Sequence, residues 1–202
     1  FANMESDMYL LQEIRLAVTS ISRVGKSALN KLDSLQQNYG NDAIIFIIKC
    51  LAEDLISRSN DLQITIDMKK AYISGIINWL FTKRPNSELL MKTAFDQIDI
   101  PPGCTNFLQR LFTICGLSND VTIWICICTY SCTKQAIRQD AIQLIRKSIA
   151  LLNSGKLAIQ SDIRNELQSL QGFGQRPPMG GQQGKADSAG KGLGASSGDD
   201  AS

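Results

Sequence analysis

The chain changes character at Gly172, and this break limits what it can fold into more than any other feature. Residues 1–171 form a dense succession of amphipathic segments, whereas residues 172–202 are rich in Gly, Ser and Gln. That last stretch holds only Phe173, Met179 and Leu193 as sizeable apolar side chains. A segment so poor in apolar surface cannot offset the entropy of ordering its backbone. The sequence therefore predicts one folded domain over residues 1–171 and a disordered tail or linker over residues 172–202.

The folded part reads as all-α, a single bundle of about seven to nine helices. From Met8 to Leu35, apolar residues recur at steps of three and four, the stripe of an amphipathic helix or short coiled coil. Gly25 interrupts that stripe at a cost of about 1 kcal/mol relative to Ala, so a kink or break belongs there. Asn38–Asp42 ends the unit, and Asn41 or Asp42 is placed to cap the next helix. Ala43–Ser57 is apolar on more than one face, as a helix central to a bundle would be.

Arg58–Asp61 reads as a polar loop, followed by a helix from about Ile64 to Thr82 with Met68, Tyr72, Ile76, Trp79 and Leu80 on its face. Asn86 or Ser87 is placed to cap a short helix through Ile98. Asp99-Ile100-Pro101-Pro102-Gly103 is the clearest internal breaker and a candidate subdomain seam at 99–103. Cys104–Cys115 is a short apolar helix ended by Gly116. Ser118–Asp120 caps Val121–Lys134, whose Thr122, Ile123, Ile125 and Ile127 are also compatible with a buried strand. Gln135–Leu152 is strongly helical, Asn153-Ser154-Gly155 breaks it, and Ile159, Ile163, Leu167 and Leu170 mark a last helix.

Composition narrows the chemistry. The chain has no histidine, which removes the commonest general base and the commonest metal ligand. Asp, Glu, Lys or Tyr could still act, but no constellation of them stands out, so the reading is non-catalytic, with no cofactor and no metal. Net charge is +2 over the whole chain, far from the basic excess that phosphate neutralisation calls for. No apolar run reaches the roughly 18–20 residues of a membrane span.

Six cysteines allow three readings. Cys126, Cys128 and Cys132 cluster without any Cys-x-x-Cys pair, so the spacing does not match a structural zinc site. Disulfides joining separate helices through Cys50, Cys104, Cys115 and Cys132 would suit a secreted protein. Cysteine as a small buried hydrophobe is the plainer alternative and would suit an intracellular or virion protein. Cys128 and Cys132 together make a poor pair if both sit on one helix. Gly25-Lys26-Ser27 lacks the preceding glycine and strand of a phosphate-binding loop.

A helical domain running into Gly/Gln/Ser-rich sequence resembles, in arrangement, the terminal domains of silk-type structural proteins, and that arrangement implies a self-associating domain with a flexible tether. The candidate assembly face is Leu10, Ile14, Ile21, Val24, Leu32 and Leu35, meeting a second copy or a partner helix. The alternative is a helical viral coat or nucleocapsid-type protein that binds RNA through Lys134, Arg138, Arg146 and Lys147.

Overall fold

The computed structural model describes residues 26–57 and 63–172, with the side chains of 26–31, 63–65 and 68 excepted. Outside them lie most of the Met8–Leu35 stripe, the Arg58–Asp61 loop and, apart from Gly172, the segment read as a disordered tail. The described residues form eight helices and no strand: α1 Lys26–Tyr39, α2 Asn41–Ser57, α3 Gln63–Thr82, α4 Glu88–Asp96, α5 Phe107–Cys115, α6 Asn119–Thr129, α7 Gln135–Asn153 and α8 Ser161–Ser169. The chain divides into a unit ending at Gln168 and a second beginning at Ser169, and the packing described below belongs to the first.

α2 is the hub. It buries Ala43, Ile44, Ile45, Ile47, Ile48, Leu51, Ala52, Leu55 and Ile56, and it packs against α1, α3, α4 and α5. The apolar excess on several faces is thus explained by several partners. It also explains why a segment rich in β-branched residues is helical, since burial on all sides outweighs a helix-propensity deficit of a few tenths of a kcal/mol per residue. α6 lies between α4 and α7 and also touches α3. Its Val121, Ile123, Trp124, Ile125, Cys126 and Cys128 are buried, and Trp124 meets the Phe81 ring edge-on at 5.5 Å. The strand alternative for this segment is overturned by the same logic. Ser118 accepts from the Val121 amide at 3.4 Å, and the Thr129 hydroxyl bonds back to the Ile125 carbonyl at 2.7 Å.

Glycines set three of the helix ends. Gly40, Gly116 and Gly155 all have positive φ, the left-handed conformation that glycine adopts without a Cβ penalty. At Gly155 the end is a Schellman motif: its amide donates to Leu152 O at 3.1 Å and the Lys156 amide to Leu151 O at 2.9 Å. α1 runs on to Tyr39 rather than stopping near Leu35, because Gly40 is the first residue able to end it.

Other boundaries differ from the sequence reading. The helix expected to start at Cys104 starts at Phe107, and the one expected to reach Lys134 ends at Thr129. At the second boundary the Thr133 and Lys134 amides are bonded to Asp96 instead of continuing the helix. Ser87 occupies the N-cap position of α4 but has helical backbone angles and makes no cap bond. Its hydroxyl donates instead to Leu80 O at 2.5 Å, tying the turn back onto α3.

Removing a side chain at the hub should be costly. Ile48 is fully buried, and Ile48→Ala should lower unfolding free energy by about 2–5 kcal/mol. Leu89 is 73% exposed, and Leu89→Ala should change it by less than about 0.5 kcal/mol. Urea titration of both variants, read with the wild-type slope, checks the contrast.

Candidate functional site

Of the residues singled out by their chemistry, Cys132, Lys134 and Arg138 lie at the seam where α6 turns into α7 against the end of α4. After Thr129 the chain bends, with the Cys132 amide donating to Thr129 O at 3.0 Å. The carboxylate of Asp96, last residue of α4, then receives three donors from this turn. They are the Thr133 amide at 3.2 Å, the Thr133 hydroxyl at 3.1 Å and the Lys134 amide at 2.8 Å. Lys134 is the N-cap residue of α7 and offers no side-chain cap of its own. Asp96 therefore closes the start of α7 from a neighbouring helix.

The same device recurs twice. α5 begins at Asn106, a non-glycine residue with φ of 55° whose side chain makes no cap bond. Its first amides are met by Asp140 of α7, which accepts from Leu108 N at 2.5 Å and also from Gln109 N. Asp120, in the first turn of α6, accepts from the Gln160 amide at the start of α8 at 2.8 Å. A related contact serves the Pro-Pro turn, where Glu53 of α2 accepts from the Asp99 amide at 2.7 Å and from Lys49 Nζ. Each helix start leaves amides without intrahelical partners and a positive dipole end. Here the compensating charge comes from across the bundle.

Two of these carboxylates titrate in opposite senses. For Asp140, burial raises the pKa above the ordinary 3.8, and the Leu108 and Gln109 amides only partly oppose it. For Asp96 burial acts in the same upward sense, but the Lys134 and Thr133 amides, the Thr133 hydroxyl and the charge of Lys92 prevail and the pKa falls below 3.8.

The four basic residues read as RNA contacts do not form one free face. Lys134 Nζ donates to Ile98 O at 2.5 Å. Arg138 Nη1 donates to Cys132 O at 3.1 Å and to Thr133 O at 3.4 Å. These two cations make contacts at the α6–α7 turn and at Ile98. Arg146 is half-buried and Lys147 is exposed.

All six cysteines are free thiols, so the bridges considered for Cys50, Cys104, Cys115 and Cys132 are not present. Their sulfurs have other contacts: Cys132 Sγ lies 3.6 Å from Lys92 O, and Cys104 Sγ takes a bond from Arg110 Nη1 at 3.3 Å. Cys132 lies beyond the end of α6, so it shares no helix with Cys128. Burial pushes Cys115 up to about 11 and Cys132 up to about 12, and raises Cys126 and Cys128 as well. Thiols in this state are protonated near neutral pH and weakly nucleophilic. Among the described residues no three Cys, Asp or Glu side chains are grouped to hold a metal ion.

Of the candidate assembly face, Leu32 is fully buried and Leu35 is 6% exposed. Both lie on α1, which packs against α2, so these two are core. Leu10, Ile14, Ile21 and Val24 lie outside the described residues.

The carboxylate closures were not anticipated. One signal was present: Asp140 sits between Ile137 and Ala141 on the apolar stripe of its helix, where an acid is out of place unless something inside receives it. Compared with known proteins, the chain matches no family model, no curated protein and no solved structure.

The opposite shifts give opposite pH dependences. Asp96, with its folded pKa depressed, stabilises the fold above 3.8 and loses that contribution as pH falls through the folded value. Asp140, with its folded pKa raised, adds stability as pH falls from its folded value towards 3.8. Asp96→Asn should therefore flatten the acid-side loss of stability, whereas Asp140→Asn should steepen it, both read from urea midpoints across the acid range. Asp140→Ala, which leaves the Leu108 and Gln109 amides without their acceptor, should cost about 1–3 kcal/mol.

The thiols give a separate test. Cys115, Cys126, Cys128 and Cys132 should react with a thiol reagent far more slowly in the folded chain than after denaturation. All six should titrate once the chain is unfolded without reductant. Fast labelling of Cys126 in the native chain would contradict their placement.

Proposed function

We propose that this chain is a non-catalytic helical assembly domain. In this reading it associates with copies of itself or with a partner helix, and the Gly/Ser/Gln-rich segment acts as a tether. The supporting observation is how its reactive groups are used. The buried thiols are held protonated, Lys134 and Arg138 are spent on backbone carbonyls, and Asp96, Asp120 and Asp140 close helix starts. Groups that could serve acid-base, nucleophilic or phosphate-binding chemistry instead hold the helices together. This use of the described groups favours apolar helix surface as the functional surface.

The surface put forward is the amphipathic stripe ahead of α1. With Leu32 and Leu35 assigned to the core, it comprises Leu10, Ile14, Ile21 and Val24. Burying such a stripe against a second helix is the usual way an amphipathic face associates, each apolar side chain contributing about 1.5–3 kcal/mol when fully covered.

Light scattering coupled to sizing tests this reading. Ile14→Asp or Ile21→Asp should lower the assembled mass while the helical circular dichroism is retained, and ribonuclease treatment should leave the wild-type mass unchanged. An assembly that persists at full mass in both variants removes this face, and a mass that falls on ribonuclease treatment contradicts the reading as a whole.

A further inference from the structure

Cys104 stands apart from the buried thiols. Burial raises the pKa of Cys115, Cys126, Cys128 and Cys132, and a covered, protonated thiol is a poor nucleophile. Cys104 is half-exposed and sits on an anchored turn. Its amide donates to Pro101 O at 3.0 Å, and Gly103 has a φ of 78°. Proline second and glycine third is the sequence of a type II turn. Glu53 of α2 holds the Asp99 amide ahead of that turn at 2.7 Å, and the buried Phe107 and Leu108 seat the start of α5 behind it. The sulfur is thus presented from a fixed position.

The outer face of α5 carries an open cavity of about 410 Å³, lined by Asn106, Gln109, Arg110, Thr113 and Ile114. That volume lies in the range that seats small molecules. The lining is one cation, two carboxamides, a hydroxyl and one aliphatic side chain, with no acid among them. Arg110 joins the cavity to the thiol, because its Nη1 donates to Cys104 Sγ at 3.3 Å. Lys49, Lys69, Lys83 and Arg84 are each paired with a carboxylate. Arg110 has no carboxylate partner among the described residues, which leaves most of its five N–H donors open. The Asn106 side chain, at the cap position of α5, makes no cap bond. A guanidinium with open donors suits a carboxylate, and carboxamides suit peptide groups.

From this meeting of thiol, cation and cavity we propose that Cys104 is a modification site for a small peptide disulfide bearing carboxylates, the class to which oxidised glutathione belongs. Arg110 receives a carboxylate of the peptide, while Asn106, Gln109 and Thr113 meet its peptide groups, and the disulfide is brought to the sulfur. The step is a thiol–disulfide exchange. Cys104 gives up its proton and its sulfur attacks one sulfur of the disulfide. A bond forms between those two as the S–S bond of the reagent breaks. The other half leaves as a thiolate and takes up a proton. Two electrons pass from the Cys104 thiol to the departing half, so the disulfide is the only oxidant required. A small thiol in excess reverses the mark by the same exchange. This inference goes beyond the assembly reading and does not depend on it.

The test incubates the full, reduced chain with oxidised glutathione and, separately, with the neutral disulfide of mercaptoethanol. Mass spectrometry of the intact chain and of its peptides follows both reactions in time. Oxidised glutathione should mark Cys104 before any other cysteine. Its rate relative to the neutral disulfide should exceed the same ratio at Cys104 in the urea-unfolded chain. Arg110→Ala should lower that ratio about tenfold, the worth of one charge-assisted hydrogen bond. The ratio cancels any change in the thiol's own reactivity, which alters both reactions alike. Gln109→Glu, which places a like charge in the cavity, should lower the ratio as well, and it decides the matter if Arg110→Ala does not fold. Both positions are exposed, and circular dichroism checks that each variant stays helical. Cys104→Ser should remove the mark. A first mark on Cys50 overturns the proposal. So does a Cys104 ratio equal to that of the unfolded chain, or one that folded Arg110→Ala leaves unmoved, either of which makes Cys104 an ordinary surface thiol.

Discussion

Unsatisfied amides at the starts of helices are the problem on which this fold turns, and carboxylates on neighbouring helices are its solution. An ordinary cap is local: a Ser or Asp at the boundary bonds an amide two or three residues on. Ser118 does this for α6. α5 and α7 follow Asn106 and Lys134, neither of which caps its own helix with its side chain, and their first amides are met by Asp140 and Asp96; the Gln160 amide just ahead of α8 is met by Asp120. The result is a dependency between helices. α4 closes α7, α7 closes α5, and α6 closes α8, so the helix starts are fixed only when the bundle is assembled. Such coupling favours cooperative folding, because isolated helices of nine residues are marginal in water.

The apolar hub makes this possible. α2 packs against four neighbours and brings α4 and α5 to its sides, on either side of the Pro-Pro turn. α6 and α7 then complete the opposite layer against α4 and α5. Asp140 lies where that layer meets α5 and is 6% exposed. A buried ionised carboxylate is expensive unless hydrogen-bonded, and its raised pKa records the part of that cost the two amides do not cancel. Asp96 sits nearer to water with three donors, and there the donors prevail. The same residue type does the same task at both places, with the balance set by burial.

Much of this was legible in the sequence. Apolar periodicity located all eight helices, and the glycines at 40, 116 and 155 stood at their ends because only a residue without Cβ adopts the required backbone cheaply. The apolar girth of Ala43–Ser57 marked it as central. What could not be read was how residues distant in the chain meet. Asp96 and Thr133 are 37 positions apart with α5 and α6 between them, and nothing local to either tells that one will cap the other. The same gap explains the basic set. Lys134 and Arg138 have helical spacing that suits a phosphate-binding face, but the early end of α6 turns both onto backbone carbonyls. Leu32 and Leu35 continued an exposed-looking stripe yet belong to the contact with α2. Cys128 and Cys132 are four apart, and the end of α6 between them removes the shared helix that the spacing implied.

Amide hydrogen exchange of the native chain tests the central claim most directly. First-turn amides of a helix usually exchange fast, having no intrahelical acceptor. The amides of Leu108, Gln109, Thr133, Lys134 and Gln160 should instead be protected. Those of Leu108 and Gln109 should lose that protection in Asp140→Ala, while the amides of Gln160 and Val121, capped elsewhere, keep theirs. Rapid exchange at Leu108 and Lys134 in the wild-type chain, equal to that of uncapped helix starts, would contradict the account.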